Sequence, residues 1–273
     1  MKRLRLRIGI VGCGAIGSSL AECIVRDFAK AAVLSALCDA EEKKAQVLSR
    51  RLGKGTLVTD IAGLITKSDL IIEAASARCS AQVAMAAIQK KKDVMVMSVG
   101  GLVGAIDKIK RRAQRSGSKV YIPSGAISGI DAVKAAGMGR IKSATLTTTK
   151  NPASFKGVKY VEAKLKGLDK IKKPVILFSG PAREAVKYFP QNINVAAVLS
   201  LAGIGADRTG VRIVASPRVS KNIHEIDIVA EAGNISTRTE NILHPENPKT
   251  SYLAVLSAQA VLKQVLEPVK IGT

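Results

Sequence analysis

Apolar β-branched runs recur through the first 123 residues, at about 5–11, 32–38, 69–74, 93–98 and 119–123. Between them, at about 15–29, 41–52, 78–91 and 103–115, apolar residues return every three or four positions. That spacing gives a helix one buried stripe. Alternating strands and helices predict βαβ units, a parallel sheet and right-handed crossovers. After Pro123 the pattern changes. Residues 124–139 are rich in glycine and small side chains. Segments 144–150, 158–165, 211–217, 222–233 and 234–241 suit antiparallel strands with one solvated face. Helical stretches at about 181–188 and 192–203 interrupt them, and a last apolar-periodic helix runs from Thr250 to Leu266, with Thr250 or Ser251 near its N-cap. The expected fold class is α/β: a doubly wound parallel sheet, then a second α+β domain with a mainly antiparallel, open sheet.

The first strand runs into VGCGAIG, with glycines at 12, 14 and 17. Such a turn is tight, lets backbone approach a pyrophosphate, and packs helix close to strand. The N–H groups that open the following helix then face two phosphates, at Gly14, Ala15, Ile16 and Gly17. Asp39 ends the second apolar run, 27 residues beyond Gly12 and somewhat further than the roughly 20 usual for a ribose-binding acid. Strand, turn, helix, strand and acid in this order predict a Rossmann dinucleotide site. Asp39 favours NAD, because a carboxylate pairs with a ribose 2′-hydroxyl and repels a 2′-phosphate. Lys43 and Lys44, one turn on, soften that repulsion and leave NADP use open. Other strand ends aim small or polar residues at the same edge: Ala74–Arg78 (with Ala75 and Ser76), Ser98–Gly101 and Ser124–Gly129.

Composition narrows the classes. Hydrophobic residues make up 47% and aromatics only 3%, with no Trp, so the core is Val, Ile, Leu and Ala. No run approaches the ~20 apolar residues of a membrane span, and the basic-then-apolar N-terminus reads as a first strand rather than a leader. The expectation is a cytoplasmic protein with no membrane partner. Cys13, Cys23, Cys38 and Cys79 form no C-x-x-C pair, which argues for free thiols and no metal. The net charge of +22 raises a nucleic-acid reading. Its lysines and arginines are spread along the chain without an aromatic platform or recognition helix, so no specific nucleic-acid partner is expected. The charge reads as a solvated surface that attracts anions.

Of the two histidines, His224 lies in NIHEID, where period-two alternation puts it on the face of Ile226 and Ile228. A lone histidine on an apolar face is more often a satisfied structural residue than a catalyst, though its pKa suits proton transfer. His244, before Pro245, reads as a solvated loop residue.

The chain resembles the L-aspartate dehydrogenase family through VGCGAIG (11–17), EAAS (73–76), IPSGAISGIDA (122–132), FPQNINVAAVLSLAG (189–203), NIHEI (222–226) and ENPKTSYLAVLS (246–257). The matching segments span nearly the whole chain in the family's order. The resemblance implies that His224 is catalytic, that Ala126 or its neighbours Ile127 and Ser128, and Asn194 with Asn192 close by, contact the nicotinamide side, and that Asn247, Lys249, Thr250 and Ser251 lie near the domain junction. Lys249, Thr250, Ser251 and the Asn192 and Asn194 amides are candidates to hold substrate carboxylates, since lysine and helix-start amides suit anions. It implies a Rossmann domain of 1–123 and 246–273 and a substrate and dimerisation domain of 124–245. The implied reaction is oxidation of L-aspartate to iminoaspartate, then oxaloacetate and ammonia, by an NAD-dependent homodimer feeding NAD biosynthesis. SVGGL (98–102) departs from the family's more usual turn and leaves the contacts of Ser98 open. The alternatives are another two-domain dehydrogenase, of homoserine or dicarboxylate type, and a non-catalytic nucleotide-binding regulator.

Overall fold

The computed structural model describes residues 5–53, 55–165, 167–189, 194–245 and 247–272, without the side chains of 247–249. The chain divides into two compact units, one of Met1–Pro123 with Val255–Ile271, the other of Ser124–Ala254 with the last two residues. The return to the first unit thus begins at Val255 rather than at 246.

The first unit holds, among the described residues, a six-stranded sheet of β1 (Leu6–Val11), β2 (Ala32–Cys38), β3 (Leu57–Val58), β4 (Leu70–Glu73), β5 (Asp93–Val96) and β6 (Val120–Tyr121). The order is β3-β2-β1-β4-β5-β6 and every ladder is parallel. Helices α1 (Ala15–Arg26), α2 (Glu42–Arg51), α3 (Ile61–Lys67), α4 (Ser80–Gln89) and α5 (Ile106–Ser116) make the crossovers. This is the doubly wound Rossmann order, whose direction reverses between β1 and β4. The sequence pattern missed β3 and α3. β3 has only two residues, too few for a period to show, and α3 has only seven with a glycine, Gly63, among them, so its apolar stripe is short. Ile8, Ile10, Leu20, Ile24 and Ile72 are fully buried in one core, as strands covered on both faces require.

The second unit carries a five-stranded sheet of β7 (Ile141–Lys150), β8 (Val175–Pro181), β9 (Thr209–Ala215), β10 (Asn222–Ala230) and β11 (Gly233–Asn241), in the order β11-β10-β7-β9-β8. It is antiparallel except for the central β7–β9 pair. Helices α6 (Ile130–Ala136), α7 (Lys159–Lys164), α8 (Ala182–Tyr188) and α9 (Asn194–Ala202) accompany it. Segment 158–165, expected as a strand, is mostly α7. The Glu162 carboxylate accepts the Gly157 N–H at 2.9 Å, which closes the turn that opens the helix. Lys164 and Tyr160 then meet one turn apart, with the ammonium 4.3 Å from the ring centroid. The edge strand beside β9 is β8, which the sequence pattern did not show.

A two-stranded ribbon of β12 (Leu243–His244) and β13 (Asn247–Ser251) precedes the terminal helix α10 (Tyr252–Leu266). His244 is therefore not a solvated loop residue. It is 5% exposed and packs edge-on against Tyr252, with ring centroids 5.6 Å apart. Further along α10, Ala258 and Leu262 are buried in the core of the first unit. No helix among the described residues is long and apolar enough to cross a membrane.

Candidate active site

In the first unit the glycine turn has three distinct backbone jobs. Gly12 has φ +99°, and a Cβ there would lie 2.5 Å from the Ala74 carbonyl oxygen. Gly17 packs so tightly that a Cβ would overlap the Gly12 carbonyl oxygen. Gly14 caps α1 and is exposed, and a Cβ there would meet nothing within 4 Å. The first and third glycines thus close the hairpin, and the second leaves open space before Ala15 and Ile16. No side chain caps α1 and no acid stands in its first turn. Its leading N–H groups and the positive end of its dipole suit a pyrophosphate.

Asp39 follows β2. Its carboxylate accepts the Cys13 N–H at 2.7 Å and the Glu41 N–H at 2.9 Å, so it fastens the glycine turn to the start of α2. Beside it opens a cleft of about 980 Å³, lined by Asp39, Val58, Asp60, Ile61 and Ile65 among others. An apolar floor with acids at its rim suits a nucleoside. Cys13, tucked beneath, has its thiol pushed up to about 12 by burial and by the Asp39 charge. All four cysteines are free, and these environments make Cys13 inert.

The loops after β4 and β5 meet on a residue that the sequence reading left unassigned. Glu73 is 0% exposed at the end of β4. Its carboxylate accepts N–H bonds from Ala75 (2.9 Å), Ser76 (3.1 Å) and Ser98 (3.0 Å). Burial raises its pKa, and these donors oppose the rise. A buried acid after an apolar strand was the available signal, since such a group must be hydrogen-bonded.

In the second unit the site is made of side chains. His224 sits mid-strand on β10 and is 3% exposed, on the buried face with Ile226 and Ile228 as alternation predicted. Its Nδ1 lies 3.0 Å from the Thr148 hydroxyl of β7. Burial, helped by the charge of Lys150, pushes its pKa down to about 3, so the imidazole is neutral. Next to it Asn222 donates to the Ser251 hydroxyl at 3.3 Å. Asn241 and Thr239 of β11 both donate to the Ala126 carbonyl, at 3.0 and 3.1 Å. These bonds hold the 124–129 loop against the strand beside His224. Thr237 donates to the Ser128 carbonyl at 3.5 Å.

The expected residues therefore fall into two sets. Gly12, Gly14, Ala15, Ile16, Gly17, Asp39, Ala75, Ser76 and Ser98 gather at the carboxyl edge of the parallel sheet. Ala126, His224 and Ser251 gather on one wall of the mixed sheet, with Ser128 at the end of the same loop. Asn194 opens α9 and Thr250 lies in β13. Asn192 and the Lys249 side chain lie outside the described residues. Thr148, Lys150, Asn222 and Asn241 join the second set without having been singled out by sequence.

Residues 12–123 match the model for the homoserine dehydrogenase NAD-binding domain, and 131–265 the model for the aspartate dehydrogenase C-terminal domain. The chain is 45% identical to the L-aspartate dehydrogenase of Methanosarcina barkeri, over 98% of this chain and all of that one. It belongs to the L-aspartate dehydrogenase family. The relative from Methanocaldococcus jannaschii is 40% identical, again over 98% of this chain and 100% of its own. The crystal structure of Thermotoga maritima aspartate dehydrogenase shares the fold, with a TM-score of 0.78 at 24% identity over 98% of this chain and 100% of that one.

Proposed function

We propose that the chain is an NAD(P)-dependent L-aspartate dehydrogenase in which His224 is the proton acceptor. The observation that carries this is the buried imidazole held by Thr148, in a chain 45% identical over its length to an L-aspartate dehydrogenase. Bound nicotinamide supplies the acceptor for the hydride that leaves Cα of L-aspartate. The glycine turn and the first turn of α1 would hold the diphosphate, and Asp39 the adenosine ribose. Ala75, Ser76 and Ser98 of the first unit, and Ala126, Ser128 and Asn194 of the second, are the residues that would make its remaining contacts. With Nδ1–H donated to Thr148, the Nε2 lone pair of His224 takes a proton from the substrate ammonium, and iminoaspartate forms. Hydrolysis of that imine gives oxaloacetate and ammonia, or the imine passes on to NAD biosynthesis. Asn192, Lys249, Thr250 and Ser251 are the candidate substrate contacts, since an ammonium, amides and hydroxyls suit carboxylates.

The protein works as a homodimer in the cytoplasm. What supports self-association is the family resemblance, which puts the dimer contact on the open sheet of the second domain. The deciding experiment mixes purified protein with NAD and L-aspartate at alkaline pH, with L-homoserine and inositols as rival substrates. Reduced cofactor with L-aspartate alone is expected, and reduction only with a rival would refute the assignment. Parallel titrations at fixed salt should show tighter binding of NAD than NADP.

A further inference from the structure

The wall around His224 includes one charged group that the reaction above does not use. Lys150 ends β7, two residues beyond Thr148, so alternation sends both side chains to the same face of the strand. In the ladder Thr149 pairs with Ile223, which sets Lys150 across from the start of β10 and within one strand of His224. Lys150 is 6% exposed, whereas most lysines lie at the surface. Burial pushes its pKa down to about 8, which still leaves it mainly cationic at neutral pH. Its charge reaches His224, where it disfavours the imidazolium. A neutral base and a buried cation on one wall suit a substrate that must lose a proton from nitrogen while keeping its carboxylates ionised. L-Aspartate has two such carboxylates.

We propose that Lys150 receives a carboxylate of the dicarboxylate substrate beside His224. The proposal rests on the L-aspartate reading and adds a substrate ligand to it. Lys150 then does two things at once. It anchors the anion, and it keeps the neighbouring imidazole in the form that accepts protons. A bound carboxylate also favours the charged ammonium that burial disfavours.

The test compares wild type with Lys150→Met, an apolar side chain of similar length, and Lys150→Arg, which keeps the charge. Lys150→Met should raise KM for L-aspartate on the order of a hundredfold, the usual scale for removing one partner of a buried charge pair. It should change kcat far less and leave the NAD dissociation constant and thermal unfolding near wild type. Lys150→Arg should recover part of the loss. A fall in kcat with KM unmoved would overturn the proposal. Calorimetric titration of succinate into the NADH-saturated protein gives a readout independent of turnover. Wild type should bind succinate and Lys150→Met should not. No binding to wild type, or equal binding to both, overturns the proposal. Succinate binding without L-aspartate oxidation would instead defeat the proposed reaction and leave the Lys150 assignment standing.

Discussion

The two units build their sites from different materials. The first uses backbone: glycines that remove side chains, N–H groups at a helix start, and a carboxylate, Glu73, that gathers three more N–H groups. The second uses side chains planted mid-strand, His224 with Thr148, and Asn241 with Thr239 on the Ala126 carbonyl. A backbone site fixes shape and tolerates many side chains around it. A side-chain site fixes chemistry and depends on each residue in it. Damage to the first should thus appear in cofactor binding and stability, and damage to the second in turnover.

The largest effect should come from His224→Ala. Loss of a positioned proton acceptor costs roughly 10²–10⁴-fold in kcat. NAD affinity, whose diphosphate and ribose contacts are proposed to lie in the first unit, should stay near wild type by equilibrium titration. A parallel fall in NAD affinity would show that the two sites are not separable.

Within the glycine turn, the substitutions should split by geometry. Gly17→Ala forces a Cβ into the Gly12 carbonyl and should cost about 1–3 kcal/mol of stability, as overpacking does, together with NAD binding. Gly14→Ala puts its Cβ into open space. It should leave the denaturation midpoint unchanged and weaken NAD alone, because the space it enters is the one proposed for the diphosphate. Equal stability losses in both variants would refute the three-job reading of the turn.

The same contrast explains what was legible in the sequence. Glycine spacing announces a backbone site directly, because few other residues adopt φ +99° or tolerate the approach at Gly17. The parallel sheet was legible through Ile8–Val11 and its sister runs, whose burial on both faces leaves continuous apolar stretches. The wall around His224 was only half legible. Alternation placed the imidazole inward, but Thr148, Lys150, Asn222 and Asn241 matter through their partners on other strands, and a single sequence carries no register. The mistaken strand at 158–165 has a similar cause. A short amphipathic stretch fits either period, and what favours the helix is a local bond, Gly157 N–H to Glu162.

Glu73 tests the backbone site from the side-chain direction. Glu73→Gln keeps the shape but replaces one accepting oxygen with an NH₂ that faces N–H donors. The cost should be about 1–3 kcal/mol for the donors left unsatisfied. NAD affinity should fall with it, since Ala75, Ser76 and Ser98 would lose their common anchor. Unchanged affinity at reduced stability would make Glu73 structural only.

A last contrast separates the units by pH. Burial acts on a titratable group in each, with opposite sign. The Glu73 pKa is raised above its unfolded value, so its contribution to stability is full below about 4.5, the ordinary glutamate range, and is lost as pH rises through the folded value. The His224 pKa is lowered from 6.5 to about 3, so its contribution is full above 6.5 and is lost as pH falls towards 3. Over that interval the unfolded chain binds one more proton at this site than the folded chain. Wild type should therefore lose about 1.4 kcal/mol per pH unit relative to His224→Gln. Urea midpoints for both proteins between about pH 4 and 8 give the comparison. The difference between the curves cancels the carboxylates they share and isolates the imidazole. Parallel curves would mean that His224 is not buried in the neutral form, and the proton acceptor would have to be sought elsewhere on the wall.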